Sequence, residues 1–225
     1  MQGSGRLPPA AVGAVWAAEL REQLVRLVAH IGPVRFTAPR TIDVLGPSWH
    51  LTGRLDSLTE AGPLVICPSG LWMPDQVAAW IAHLVWSAVM SADGQAPPPG
   101  GTRLIALDEG SVVEHGFAWE PDAMACLDVL VAGYRQACQR PLPYFPKAAE
   151  SFRKAHGAKT KTDPALAARR GYEGSDRLNG DVDDRHVQLL WRGHDPLADQ
   201  FDAFTALTNG LWVPMEAAKV RRVAS

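Results

Sequence analysis

The sequence predicts an α/β fold with a central mixed sheet, flanking helices and a helical C-terminal part. Apolar residues recur at helical spacing in residues 11–31, strand-like runs separated by glycine and proline follow as far as residue 67, and helical spacing returns after Met73. Helices and strands in this order pack as layers around one sheet. The chain has 225 residues, of which 47% are hydrophobic and 20% charged, so it can bury a sizeable core.

The first predicted element is a helix over residues 11–31, which Gly32 and Pro33 end. Its apolar residues recur at three- and four-residue spacing. They are Val15, Leu20, Leu24, Leu27, Val28 and Ile31.

Three strands are predicted after this helix, at residues 41–45, 49–58 and 63–67. The turn signals between them, at residues 46–48 and 60–63, are rich in glycine and proline. Turns this short join antiparallel neighbours, whereas parallel strands need a longer crossover. The sequence therefore predicts an antiparallel meander.

A second helix is predicted over residues 74–90, with a proline in its first turn and apolar residues on most of its surface, which indicates burial. The run APPPGG at residues 96–101 predicts a rigid surface connector. Two more strands are predicted at residues 102–107 and 111–119, around a turn at residues 108–110.

The remainder is predicted to be mainly helical. A helix over residues 121–139 begins at a proline and ends before PLPYFP. The polar residues 154–184 predict mobile connections. A closing helix at about residues 197–211 carries Phe201, Phe204, Leu207 and Leu211 on one side.

Charge and cysteine content limit the function classes. The formal net charge is -2, whereas a protein that holds DNA unaided is usually clearly basic. Cys67, Cys126 and Cys138 form no C-x-x-C pair, which is typical of a reducing cytosol. The sequence shows neither a signal-peptide pattern nor an apolar run that could span a bilayer. We expect a cytoplasmic protein whose contacts with nucleic acid are local or shared.

The strands at residues 49–58 and 63–67 raise the question of a nuclease site. Metal-dependent nucleases with a helix–meander–helix core carry an aspartate on the second strand and an acid-x-lysine on the third, where they bind Mg²⁺. Asp56 fits the first position, but Cys67 and Ser69 stand where the acid and the lysine would be. A thiol is a poor Mg²⁺ ligand and serine carries no positive charge. We interpret these positions as vestigial and predict no catalytic residue, metal or cofactor.

Other acidic residues leave one catalytic alternative open. Asp43, Glu60 or Asp75 could supply relocated metal ligands around Asp56 in a divergent nuclease. The run NGDVDD at residues 179–184 lacks the acid ladder of a calcium loop, so we interpret it as a solvated acidic loop.

Basic residues and tryptophans are candidates for contacts with partners. Lys159, Lys161, Arg169 and Arg170, together with KVRR at residues 219–222, could meet DNA phosphates in a channel that another chain completes, although such runs are usually solvated surface. The eight tryptophans could pack in the core or anchor an interface.

Five segments, taken in order, resemble one known family. They are RLPPAAVG at residues 6–13, AAWIAHLVWSA at 78–88, PLPYFP at 141–146, ARRGYEG at 168–174 and VQLLWRG at 187–193. Their order and spacing are similar to those of the C-terminal domain of RecC, the gamma subunit of exodeoxyribonuclease V, the bacterial RecBCD helicase–nuclease. The resemblance runs from Arg6 to Ala217, essentially the whole chain.

The resemblance implies a PD-(D/E)xK nuclease-like (restriction-endonuclease-like) core that lacks the catalytic set. It implies that RecB cleaves DNA, that RecB and RecD are the motors, and that RecC holds both, helps to split double-stranded DNA ends and guides the single strands. We accordingly expect an excised domain of a longer subunit. Residues 1–5 would be cloning-derived or linker residues, residues 6–217 the nuclease-like domain and residues 218–225 a basic tail.

Three functional hypotheses follow. The leading one is a non-catalytic scaffolding domain in DNA recombination and double-strand break repair, inactive in isolation and partnered by RecB, RecD and DNA. The second is a divergent metal-dependent nuclease with ligands relocated around Asp56. The third is a protein-interaction module that makes no contact with DNA.

Overall fold

The computed structural model describes residues 10–68, 70–95, 101–108, 110–157 and 162–222. Within them the chain has the mixed α/β architecture and the mixed central sheet that the sequence predicts. It divides into two compact units. The first comprises residues 1–43, 52–119 and 219–225, and the second comprises residues 44–51 and 120–218.

The first unit is built on a five-stranded sheet in the order β3-β4-β5-β6-β9. These strands are β3 (Leu58–Thr59), β4 (Gly62–Cys67), β5 (Thr102–Asp108), β6 (Ser111–Phe117) and β9 (Lys219–Arg222). β4 and β5 run parallel, whereas the other neighbours are antiparallel. Parallel neighbours require a crossover, which the helix between β4 and β5 supplies.

The described part of the first unit contains the helices α1 (Ala10–Ile31) and α2 (Met73–Ala92). α2 has a proline in its first turn and is largely buried, as its sequence predicts. α1 packs through Leu27 against Leu64, Ile105 and Leu107 of the sheet. Among the apolar residues predicted to line α1, Leu27 is fully buried, while Val15, Leu20, Leu24 and Val28 are exposed.

The predicted meander is wrong as a single sheet. β1 (Arg40–Leu45) and β2 (His50–Leu55) pair with each other in a separate two-stranded hairpin. The predicted strand at residues 49–58 is in fact two strands, because Ser57 takes a positive φ of 57° that ends the extended run after Leu55. A non-glycine residue in this conformation marks a turn rather than a strand.

The second unit contains the tip of this hairpin and six helices among the described residues. They are α3 (Ala123–Ala137), α4 (Pro146–Gly157), α5 (Pro164–Glu173), α6 (Arg185–Leu190), α7 (Pro196–Asp199) and α8 (Phe201–Ala218). Aromatic residues, among them Phe145, Phe152, Tyr172 and Phe204, form its core. α4 and α5 approach closely at Gly171, where a Cβ would lie 2.5 Å from the carbonyl oxygen of Lys147.

Two predictions for the second unit need revision. The polar stretch 154–184 contains α5 and a small hairpin of β7 (Gly174–Ser175) and β8 (Leu178–Asn179), so it has more regular structure than its composition indicates, and its mobility stays a prediction. The closing helix begins later and extends to Ala218, and its buried face includes Phe204 and Trp212 rather than Leu207 and Leu211.

Residues 219–222, predicted as part of a basic tail, form β9 and pair with β6.

Residues 96–100 of the predicted connector lie outside the described part of the chain. Among the helices that are described, each is too short or too polar to cross a bilayer.

Candidate functional site

Asp56 lies one residue beyond the end of β2, not on the strand as predicted. Its carboxylate is exposed and forms an ion pair with the guanidinium of Arg54, whose Nε lies 2.9 Å from Oδ1. Asp56 is followed directly by Ser57, whose positive φ ends the extended backbone. The carboxylate that the sequence singles out is therefore held in a surface ion pair.

Cys67, the second predicted position, is the last residue of β4 and is buried. Burial, and to a lesser extent the negative charge of Asp75, raises the pKa of the thiol. The thiol therefore stays protonated at neutral pH in the free protein, and Mg²⁺ takes oxygen rather than sulfur ligands. Ser69 lies outside the described residues.

The acids proposed as relocated ligands are distributed over three elements. Asp43 is on β1, Glu60 is in the turn between β3 and β4, and Asp75 is in the first turn of α2, where an acid complements the helix dipole. Within the described ranges, no three His, Cys, Asp or Glu side chains come together to hold a metal ion. The geometry gives the relocated-ligand hypothesis no support.

A polar cluster that the sequence did not reveal lies between α1 and the sheet. Glu114 on β6 accepts two hydrogen bonds from Arg103 on β5, from Nε at 2.9 Å and from Nη2 at 3.0 Å. His30 near the end of α1 lies 2.8 Å from the same carboxylate, measured from Nε2 to Oε2. Burial alone would raise the pKa of Glu114, but the bonds from Arg103 and His30 outweigh it and lower the pKa.

The sequence does contain one signal for this cluster, which is the alternation of inward- and outward-facing positions along β5 and β6. Arg103 and Glu114 sit at positions whose neighbours on the same faces, Ile105 and Val112, are apolar and pack in the core. A charged residue at such an inward position indicates a buried partner. The partner on α1 is 84 residues away from Glu114, so the sequence alone does not identify it.

His83 is a second buried polar residue, on the α2 side of the first unit. It is fully buried, and its Nδ1 lies 2.9 Å from the hydroxyl of Thr102. The rings of Trp80, Trp86 and Phe117 surround it at centroid distances of 5.5–5.8 Å. Burial lowers the pKa of His83 to about 4, and the carbonyl of Ala118 opposes this only in part. His83 is therefore neutral at physiological pH and belongs to the core.

The acids of NGDVDD act as local caps. Asp181 is buried and accepts hydrogen bonds from the backbone N–H groups of Lys147 and Ala148 at the start of α4, at 3.2 and 2.8 Å. Asp183 accepts from the N–H of Gly180, and Asp184 caps α6. The interpretation as a solvated loop is therefore wrong for Asp181. Its role is to satisfy helix N-terminal donors.

The candidate DNA-contacting residues differ in their availability. Arg169 is bound to Asp195 at 2.5 Å and approaches Glu173 at 3.6 Å, whereas Arg170 is exposed. Lys159 and Lys161 lie outside the described residues. Of the two candidates that lie in the described part of the chain, one is therefore held in an ion pair and the other is exposed.

The tryptophans separate into core and surface residues. Trp80, Trp86 and Trp212 are buried, and Trp16 and Trp72 are exposed. The other three, Trp49, Trp119 and Trp191, are half-buried. Trp49 donates its indole N–H to Asp128 at 2.6 Å, which ties the tip of the β1–β2 hairpin to α3 within the second unit.

Comparison with known proteins finds two similarities. Residues 1–157 match the family model described as RecC C-terminal domain. A curated relative, the RecBCD enzyme subunit RecC of Escherichia coli (strain K12), is 28% identical over 209 residues. The aligned region covers 87% of this chain and 18% of the relative, so the chain spans less than a fifth of the relative's length.

Proposed function

This chain belongs to the RecC C-terminal domain family, and from that premise we propose that it is a non-catalytic, nuclease-like scaffolding domain of a DNA end-processing complex. The family match over residues 1–157, which contains three of the five sequence segments, and the curated relative together confirm the resemblance. In this role the domain contributes surface for the assembly of RecB- and RecD-type subunits. The same complex would split double-stranded DNA ends and guide the separated strands during recombination and repair.

The topology of the first unit supports a nuclease-like core. A helix, short strands, a second helix and a further strand follow one another, and α2 connects the parallel strands β4 and β5. Under this proposal, β4 corresponds to the strand that carries the acid-x-lysine in metal-dependent nucleases. The detached β1–β2 hairpin is a departure from this arrangement.

The proposal that the domain is non-catalytic rests on the residues at the end of β4. The strand that would present an acid instead ends in Cys67, a buried thiol whose raised pKa keeps it protonated. Mg²⁺ requires oxygen ligands, mainly carboxylate and water, in near-octahedral geometry. The exposed carboxylate of Asp56, paired with Arg54, would be one ligand at most.

Incubation of the purified domain with linear DNA and Mg²⁺ or Mn²⁺ tests this proposal. We expect no cleavage by the wild-type domain or by Asp56→Ala under identical conditions. Cleavage by the wild type that Asp56→Ala abolishes would establish the divergent-nuclease alternative. Cleavage that survives both in Asp56→Ala and after a repeat purification under denaturing and refolding conditions would also contradict the proposal. Cleavage that this repeat purification removes would come from a contaminating nuclease.

Direct contact with DNA is the part of the proposal that separates it from a pure interaction module. Arg170 is exposed and can reach a phosphate, whereas Arg169 is already bound to Asp195. In an assembled complex, Arg170→Ala should weaken binding to DNA ends and reduce the slope of log K against log salt by about 1. An unchanged slope, together with the absence of DNA crosslinks to this domain, favours the interaction module.

A further inference from the structure

The tip of the β1–β2 hairpin is a tight turn at residues 46–49, which lies in the second unit together with α3. The N–H of Gly46 donates to the carbonyl of Trp49 at 2.9 Å and closes the turn. The indole of Trp49 lies directly over Gly46, where a Cβ would overlap the ring. Glycine therefore allows the ring to fold against its own turn, and the turn holds the indole in one orientation.

Two contacts with α3, here called the tip latch, hold this turn. The indole N–H of Trp49 donates to Oδ1 of Asp128 at 2.6 Å. Two helical turns further along α3, the guanidinium of Arg135 donates to Ser48, from Nη1 to the hydroxyl at 2.9 Å and from Nη2 to the carbonyl at 2.5 Å. Residues seven apart lie on one face of a helix, so α3 presents an acceptor and a donor in one row to two consecutive residues of the turn.

The contacts of the tip latch are polar and accessible to solvent. Ser48 and Arg135 are exposed, and Trp49 is half-buried. A hydrogen bond that water can replace contributes little net stability, because folding exchanges one hydrogen-bond partner for another. The buried apolar side chains of the hairpin, Ile42, Val44 and Leu55, lie on its strands and not in its turn. The turn is therefore held by contacts that solvent can replace, whereas the strands are held by apolar burial.

We propose that the tip latch is a releasable strap, whose turn detaches from α3 in a local opening while the rest of the chain stays folded. In the closed state the turn engages Asp128 and Arg135, and in the open state these charges and the indole of Trp49 face solvent. Local openings have free energies below that of global unfolding. A ligand that binds one of the released groups would shift the population towards the open state. Both halves of the latch belong to this chain, so the strap goes beyond the proposed function and does not depend on it.

The two contacts of the tip latch should open together. Ser48 and Trp49 are consecutive residues of one closed turn, so a contact at either residue keeps the other close to its partner on α3. This raises the effective concentration of the second contact, as in any two-point attachment. Removal of the guanidinium of Arg135 should therefore loosen the indole of Trp49, although Arg135 donates to Ser48.

Exchange of the Trp49 indole N–H with solvent measures the opening, by ¹H–¹⁵N NMR on the 225-residue chain, with Trp49→Phe to assign the signal. The variants are Asp128→Ala, Arg135→Ala and, as the matched control, Arg140→Ala, an exposed arginine of the same unit beyond the end of α3. We expect exchange about tenfold faster in both latch variants and within about twofold of the wild type in the control.

The urea dependence of exchange in the wild type distinguishes a local opening from unfolding. Trp212, which is buried in the same unit, provides the reference indole. A local opening exposes little surface, so the exchange rate of Trp49 should change little in urea below the unfolding transition. The exchange rate of Trp212 should rise steeply, because its exposure requires unfolding of the helices around it.

Two results would overturn the inference. The first is a Trp49 exchange rate that rises with urea as steeply as that of Trp212, because the turn would then be released only by unfolding. The second is an Arg135→Ala exchange rate equal to that of Arg140→Ala, because the two contacts would then be independent and would not form one latch. If Asp128→Ala fails to fold, the urea dependence of the wild type and the rate in Arg135→Ala, a substitution at an exposed residue, decide the question.

Discussion

Arg103 binds Glu114 through two parallel hydrogen bonds, from Nε at 2.9 Å and from Nη2 at 3.0 Å. Arg54 and Asp56 are equally close, since Nε of the arginine lies 2.9 Å from Oδ1 of the aspartate. The side chains of the first pair are 22% and 7% exposed, and those of the second are 67% and 56% exposed. Although the two distances are equal, the buried pair contributes more to the stability of the fold, because solvent screens the exposed pair more strongly.

Replacement of the two arginines by methionine should separate these energies. Arg103→Met leaves a buried carboxylate without its main partner, so we expect the free energy of unfolding to fall by about 3 kcal/mol. Arg54→Met removes one half of a surface pair and should change it by less than about 1 kcal/mol. Urea unfolding followed by tryptophan fluorescence measures both. Equal effects of the two substitutions would contradict the assignment of the buried pair as the structural one.

The pH dependence of stability should reveal His83. Its pKa is about 4 in the folded protein against an ordinary value of 6.5, because burial disfavours the charged ring. Between these values the unfolded chain binds a proton that the folded chain does not. The free energy of unfolding therefore falls as the pH is lowered from 6.5 towards 4, by about 3 kcal/mol in total, and the contribution is complete above pH 6.5.

Urea unfolding at several pH values between 7 and 4, for the wild type, His83→Leu and His186→Gln, measures this effect. His83→Leu should flatten the slope even if it lowers stability at pH 7, since the slope reports protonation and not packing. His186 is exposed, so its substitution should leave the slope unchanged. A slope that persists in His83→Leu would assign the pH dependence to another group.

Asp181 and Asp56 provide a matched comparison of two aspartates. Asp181 is buried and accepts two backbone hydrogen bonds at the N-terminus of α4, whereas Asp56 contacts one exposed arginine. Asp181→Ala should cost about 1–3 kcal/mol, because two helix donors lose their acceptor. Asp56→Ala should cost less than about 1 kcal/mol. A comparable loss in both variants would show that Asp56 has a structural role beyond its surface ion pair.

Local patterns were sufficient to predict part of this fold. α2 and the β5–β6 hairpin follow from apolar periodicity and from the turn at residues 108–110, which are short-range signals.

The candidate site was predicted less well. The sequence predicts Asp56 on a strand because it lies within the strand-like run at residues 49–58, and the positive φ of Ser57 that ends the strand has no sequence signal. Serine is not a residue type that favours this conformation.

Interactions between distant residues account for most of what the sequence did not predict. His30 and Glu114 are 84 residues apart, and each side chain alone is typical of a solvated surface. The run at residues 219–222 has one apolar residue among four, so its composition indicates an exposed tail, yet it pairs with β6. Strand formation here depends on a neighbouring edge and not on local propensity.

Deletion of β9 tests whether this C-terminal run is structural. Four residues of β9 lie in register with residues 114–117 of β6, and the ladder hydrogen bonds satisfy the backbone groups along that strand. Removal of residues 219–225 should lower the free energy of unfolding by about 2–4 kcal/mol, at roughly 1 kcal/mol for each lost hydrogen bond. Removal of residues 223–225 is the matched control and should have little effect. If the full deletion and the control unfold at the same urea concentration, residues 219–222 add nothing to the stability of the sheet, and the interpretation as a basic tail stands.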